Sequence, residues 1–153
     1  MDIDWHDGDR TLLRPLFEYA EDSATQLDTY LTLGRVLVAR RAGTVIGHLH
    51  LVPTGSPDEI ELKNMAVYPD QRGTGVGRAL VEEARRRCAA EGWRQMVVAT
   101  ATADIGNLRF YQRVGFRMCS IERDAFTPAT GYPDPIDIDG IPLRDRIWLD
   151  ADL

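Results

Sequence analysis

The stretch Asp70-Gln-Arg-Gly-Thr-Gly-Val-Gly-Arg-Ala-Leu80 sets Gly73, Gly75 and Gly77 at alternate positions, between a run with strand character and a run with helix character. Glycine costs roughly 0.5–1 kcal/mol against alanine inside a regular element, so three in five residues mark a place where side chains would obstruct something. Strand, glycine-rich turn and helix is an arrangement that binds phosphate, because bare backbone N–H groups and the positive helix end converge on an anion. Two familiar phosphate loops do not fit. Gly77 is followed by Arg78-Ala79, not Lys-Ser/Thr, which removes the Walker loop. Neither Gly73-Thr-Gly75 nor Gly75-Val-Gly77 is followed by the third glycine of the dinucleotide fingerprint.

The elements that must position this loop can be read from hydrophobic spacing. A strand is expected near Asp2 to Trp5, then a helix from about Asp9, its cap, carrying Leu12, Leu13, Leu16, Phe17 and Ala20 at helical intervals. A second helix is expected over about Ala24 to Leu33, stopped by Gly34. Arg35 to Arg40 and Thr44 to Val52 read as a hairpin turning at Ala42-Gly43. Glu59 to Pro69 returns to strand, with Ile60 and Leu62 alternating against Glu59, Glu61 and Lys63 until Met65-Ala66-Val67 breaks the alternation, which predicts a bulge. Gly75 to Glu91 is an amphipathic helix with Val76, Leu80, Val81, Ala84 and Cys88 on one face. Arg94 to Ala103 reads as a strand covered on both faces. A short helix over about Asn107 to Val114, a strand over about Phe116 to Arg123 and a last strand over about Arg144 to Leu149 follow. Phe126 to Pro142, with four prolines, reads as an irregular functional loop. The pattern implies a mixed α/β layer fold built on one central sheet.

At 153 residues and 44% hydrophobic, the chain suits one domain spanning 1–153. The formal charge of −6 argues against a nucleic-acid binder or an anionic-membrane binder and is compatible with a cationic or amine substrate. Cys88 and Cys119 form no metal spacing or disulfide framework and read as core thiols. The acidic start lacks an apolar signal core and no run approaches a membrane span, so a soluble, cytoplasmic protein is expected.

Three segments together resemble the GNAT superfamily of acetyl-CoA-dependent N-acetyltransferases: Arg72-Gly-Thr-Gly-Val-Gly77, the preceding Met65-Ala-Val-Tyr-Pro-Asp70, and the later Phe110-Tyr-Gln-Arg-Val-Gly-Phe116. The resemblance spans about Arg35 to Met118. It implies a central, mostly antiparallel sheet of about seven strands, splayed between the fourth and fifth, with about four flanking helices. It also implies what the glycines cradle. Amides of Arg72, Gly73, Thr74, Gly75, Val76, Gly77 and Arg78 would bind the coenzyme A pyrophosphate, and Met65, Ala66 and Val67 would pair with pantetheine. A backbone N–H near Val67 would hold the thioester oxygen as charge builds on it.

By the same resemblance Tyr111 is the acid that protonates the departing thiolate. Glu61, at the family's interval before the loop, is the base for an amine that is mostly ammonium at neutral pH, with Glu59 in reserve. Asp104 stands where many members place a cofactor-contacting asparagine, and Asn107 is the substitute. His48 and His50 share one strand face, either lining the amine pocket or lying on the sheet surface. No metal is expected. The function implied is transfer of acetyl from acetyl-CoA to a primary amine of a small molecule or peptide by direct attack; the alternative is a noncatalytic acyl-CoA-binding regulatory module. The Phe126 to Pro142 loop is expected to close over the amine side, its Asp134, Asp137 and Asp139 favouring a cationic acceptor, or to form a homodimer contact.

Overall fold

A computed structural model of Met1–Leu153 shows one seven-stranded sheet in the order β1-β2-β3-β4-β5-β9-β6 and a separate two-stranded ribbon, β7-β8. The strands are β1 (Asp2–Trp5), β2 (Arg35–Arg41), β3 (Thr44–Pro53), β4 (Glu59–Val67), β5 (Gln95–Ala101), β6 (Arg117–Glu122), β7 (Asp137–Ile138), β8 (Ile141–Pro142) and β9 (Arg146–Asp152). The helices are α1 (Arg14–Phe17), α2 (Ala24–Tyr30), α3 (Val76–Ala90) and α4 (Ile105–Arg113). Every sheet neighbour is antiparallel except β4 and β5, which the α3 crossover makes parallel.

The expected amphipathic helix is α3. Its Val76, Leu80, Val81, Ala84 and Cys88 are buried against Leu37, Leu49, Leu51 and Leu62 of the sheet, together with Tyr111, Val114 and Phe116 from α4 and the turn after it. Full burial of each large aliphatic side chain contributes roughly 1.5–3 kcal/mol, so this layer is the main clamp on the central strands. Short helices cover the opposite face, where Leu13, Phe17, Leu27 and Tyr30 pack on Val36 and Val38.

Several sequence expectations are corrected. The first helix is a 3-10 turn, Arg10–Leu13, followed by the single turn α1, because Pro15 has no N–H with which to continue the ladder. The helix expected from Asn107 begins at Ile105, since the Asp104 side chain accepts from the Asn107 amide and caps it. The last strand runs on to Asp152, which pairs with Gln95. Cys88 is buried as expected, with its thiol pushed up to about 11 by burial. Cys119 is exposed, because β6 is an edge strand exposed along its whole length. The Phe126 to Pro142 stretch holds a 3-10 turn and the β7-β8 ribbon, whose Asp139-Gly140 turn has positive φ at both residues. Asp-Gly is the usual signal for such a turn.

Candidate active site

The bulge in β4 lies at Lys63, two residues before the expected place: His50 pairs with Asn64 and Leu51 with Leu62, leaving Lys63 without an opposite residue. One extra residue reverses the alternation of faces. Leu62 therefore joins the α3 layer, while Asn64 is buried on the other face, where its Nδ2 donates to the Phe17 carbonyl and the Tyr30 hydroxyl at 3.2 and 3.0 Å. At the same point the sheet opens. β4 and β5 pair only from Glu59–Gln95 to Leu62–Val98, so Met65 to Val67 have β3 on one side and a wedge on the other.

Within the wedge the backbone directions alternate. The Tyr68 amide donates to Ile46 of β3, which by antiparallel alternation turns Ala66 toward β3 and Met65 and Val67 toward the opening. The Val67 carbonyl accepts from Arg72 Nε at 3.0 Å, leaving the Val67 N–H as the group presented there. Ala66 thus lines the groove but spends its backbone on the sheet.

The glycine loop borders a groove of about 620 Å³ that also touches Met65, Val67, Asn107 and Phe110. Gly73 and Gly75 have φ of 74° and 89°, and a Cβ at either would meet nothing within 4 Å. Their bareness serves the backbone conformation and the open space beside it. Gly77 differs: a Cβ there would touch the Phe110 ring at 3.4 Å, an ordinary contact, so this glycine packs between α3 and α4 and does not face open space. The amides of Gly73, Thr74, Gly75, Val76, Gly77 and Arg78 have no backbone acceptor; the first bond into the helix is from the Ala79 amide to the Gly75 carbonyl. Arg72 is a correction, since its amide is already used by Pro69. Six unpaired amides at an uncapped helix start suit a pyrophosphate.

A second cavity, of about 200 Å³, adjoins this groove and shares Tyr19, Met65, Asp104 and Asn107 with it. Glu61 and Tyr111 both line it. Burial pushes the Glu61 carboxyl up, opposed by the charges of Lys63 and Arg146. Tyr111 is held edge-on between Phe110 and Phe116, and burial with the Asp104 charge pushes its phenol up, keeping it protonated. Asn107 Nδ2 donates to Thr100 Oγ1 at 3.2 Å, which fixes the amide at the border between the two spaces.

Three residues of this site carry no sequence motif. The Glu21 carboxylate accepts from the Tyr30 hydroxyl at 3.0 Å and from the Tyr132 hydroxyl at 2.6 Å, tying the loop after β6 to the segment between α1 and α2. Gln26 adds a bond to the Thr130 carbonyl. Phe126 and Tyr132 do line the cavity, as expected of a covering loop. Asp134, Asp137 and Asp139 do not; they face solvent, and the carboxylates on the cavity are Glu21, Asp22, Glu61 and Asp104. The histidines are also corrected. His48 and His50 are fully buried under α1, away from both spaces. His48 stacks on Phe17 at 4.1 Å and its Nε2 meets Asn64 Oδ1 at 2.8 Å. Burial lowers the two to about 3 and about 4. No group of three or more His, Cys, Asp or Glu side chains is placed to hold a metal ion, and no helix is long and apolar enough to cross a membrane.

A family model described as Acetyltransferase (GNAT) domain matches residues 32–118, over half the chain and across the loop, wedge and α4. The chain belongs to the GNAT acetyltransferase family. An uncharacterized N-acetyltransferase of Bacillus subtilis, YvbK, is 30% identical over 92% of this chain and 89% of its own length. Two solved structures superpose over 99% of this GNAT chain and 97% of their own, each at 29% identity. A GNAT family acetyltransferase from Elizabethkingia anophelis with acetyl-CoA bound gives a TM-score of 0.91, and a Bacillus subtilis acetyltransferase in complex with CoA gives 0.89. This GNAT acetyltransferase is an enzyme that uses acetyl-CoA as co-substrate.

Proposed function

We propose that this enzyme acetylates a primary amine of a small molecule or peptide by direct attack within a ternary complex. The observation that carries the reading is the shared border of the two spaces: a groove of free amides meets a cavity holding one buried carboxylate and one buried phenol. In this reading the amides from Gly73 to Arg78 hold the pyrophosphate, and Met65 and Val67 present backbone groups to pantetheine. The Val67 N–H stabilises the thioester oxygen as charge develops on it. Glu61 takes a proton from the acceptor ammonium, directly or through water, and Tyr111 gives a proton to the departing thiolate. The thiols take no part, because neither has a base partner and both are pushed up toward the protonated form. Four carboxylates against Lys63 and Arg146 on the cavity favour an acceptor that enters as a cation.

The pH–rate profile with acetyl-CoA and a simple alkyl amine tests the base. Activity should fall with pH as Glu61 is protonated, on a limb lying above the ordinary carboxylate range. Glu61→Gln should lower turnover and remove that limb while acetyl-CoA affinity stays the same. A limb that persists at its original pH would show that another group takes the proton.

A further inference from the structure

Lys63 is the only lysine among the 18 basic side chains of the chain; all the others are arginines. An arginine keeps its charge at any ordinary pH and offers no amine nucleophile, whereas a lysine ammonium can lose a proton and become one. This single lysine occupies the bulge of β4 and lines the cavity with Glu61 and Tyr111. Its Nζ lies 3.7 Å from a Glu61 oxygen and 4.9 Å from the centroid of the Tyr30 ring, with 34% of the side chain exposed. The ion pair is longer than a hydrogen bond, so the ammonium is loosely held. Met65, which borders both spaces, is two residues along the same strand, roughly 7 Å at the usual rise, and Val67, whose N–H the mechanism sets on the thioester oxygen, roughly 13 Å. A four-carbon stem can swing through much of the first span, and the thioester must extend back from Val67 to meet it.

We propose that Lys63 is an acetylation site of the enzyme itself, modified from acetyl-CoA bound in the groove of the same chain when no acceptor fills the cavity. The inference rests on the transfer mechanism above, because the chain's own primary amine stands beside the carboxylate to which that mechanism assigns amine deprotonation. In the step, Glu61 takes one ammonium proton and the freed nitrogen attacks the thioester carbonyl carbon. The N–C bond forms, the C–S bond breaks, and coenzyme A leaves as thiol with a proton from Tyr111. The products are Nε-acetyl-Lys63 and free coenzyme A, with one proton released to solvent. Acetylation removes a charge and leaves a neutral amide. The groups facing Glu61 are Lys63, Arg146, Glu59 and Tyr30; without the Lys63 charge the Glu61 carboxyl moves further up. The modified enzyme then loses activity at a higher pH than the unmodified one, so the modification acts as a brake on the base.

The test incubates the full chain, shown by intact mass to start unacetylated, with acetyl-CoA and no added amine. Intact mass, peptide mapping and free thiol are followed together. The expected result is one acetyl group on Lys63 for each coenzyme A released, at a first-order rate independent of protein concentration. That rate should be roughly 10²-fold slower in Glu61→Gln, and the thiol release should disappear in Lys63→Arg. Lys63 acetylated no faster than in heat-unfolded protein would mean simple chemical acetylation and would overturn the proposal. Turnover of an added amine with Lys63 untouched would overturn the self-acetylation alone. No thiol release with any amine, in protein that binds acetyl-CoA, would overturn the transfer mechanism too.

Discussion

The groove and the cavity share a border, yet they are built from different materials. The polar groups of the groove are backbone ones, six consecutive amides at one helix start and the open edge of one strand within 65–78, bordered by Tyr19, Asp104, Asn107 and Phe110. The cavity is a side-chain site assembled from the segment after α1, α2, β4, β5, α4, the loop after β6 and β9. A contiguous backbone site can be recognised from local composition, because glycine at positive φ and an uncapped helix start are local properties. A cavity walled by side chains from seven separate segments has no such signature. The same division predicts which changes alter cofactor binding and which alter acceptor handling.

The largest effect is expected in the cavity. Tyr111→Phe keeps the ring between Phe110 and Phe116 and deletes only the hydroxyl, so turnover should drop roughly 10²–10⁴-fold with acetyl-CoA affinity intact. An unchanged rate, measured where chemistry limits turnover, would leave Tyr111 with packing alone. Next, the groove should respond to position within its own glycines. Gly75→Val strains a residue at φ 89° and puts a side chain into the open space beside the amides, and should weaken acetyl-CoA binding roughly 100-fold, the loss of one or two charge-assisted bonds. Gly77→Ala places its methyl against Phe110 at ordinary contact distance and should change the affinity less than about threefold. Calorimetry on both, with melting temperatures to confirm folding, sharpens the contrast; equal losses would erase it.

Smaller effects belong to the acceptor side. Tyr132→Phe removes the bond to Glu21 and should raise the acceptor KM about fivefold, the worth of one ordinary hydrogen bond, with acetyl-CoA affinity unchanged. If the acceptor KM does not move while the melting temperature falls, the Glu21 clamp serves stability and not acceptor binding.

The buried histidines set a pH dependence belonging to neither region. His48 and His50 stay neutral in the fold down to about pH 3 and 4, but in the unfolded chain they gain protons near pH 6.5. The unfolded state therefore binds more protons between those limits, and stability is full above about pH 6.5 and lost as pH falls. At pH 5.5 the two should together cost roughly 2–3 kcal/mol. Urea unfolding at pH 7.5 and 5.5 measures it, and a His48→Gln variant should show about half the difference.

Much of the architecture was legible because it follows from local periodicity. The hairpin β2-β3, the strand β4 and the helix α3 fall close to where alternation and helical spacing put them, since burial of one face is what those patterns encode. The glycine loop was legible for the same reason, being a run of consecutive residues with one backbone task. Errors fell where a neighbour decided. The alternation at Met65 to Val67 pointed to a bulge, but pairing with β3 placed it at Lys63. His48 and His50 were correctly set on one face, but nothing in their own strand says that Phe17 lies over them.

The order of elements, the glycine-rich loop and the family resemblance could be read without coordinates, each being a matter of residues adjacent along the chain. Which carboxylates face the cavity depends on long-range packing. Glu21 is held there because the Tyr30 and Tyr132 hydroxyls donate to its two carboxylate oxygens, while Asp134, Asp137 and Asp139, in the loop expected to supply the charge, turn to solvent. The physical reason is that the orientation of a side chain on an irregular segment depends on what packs against it, and for Glu21 one of the two partners, Tyr132, lies 111 residues away in sequence.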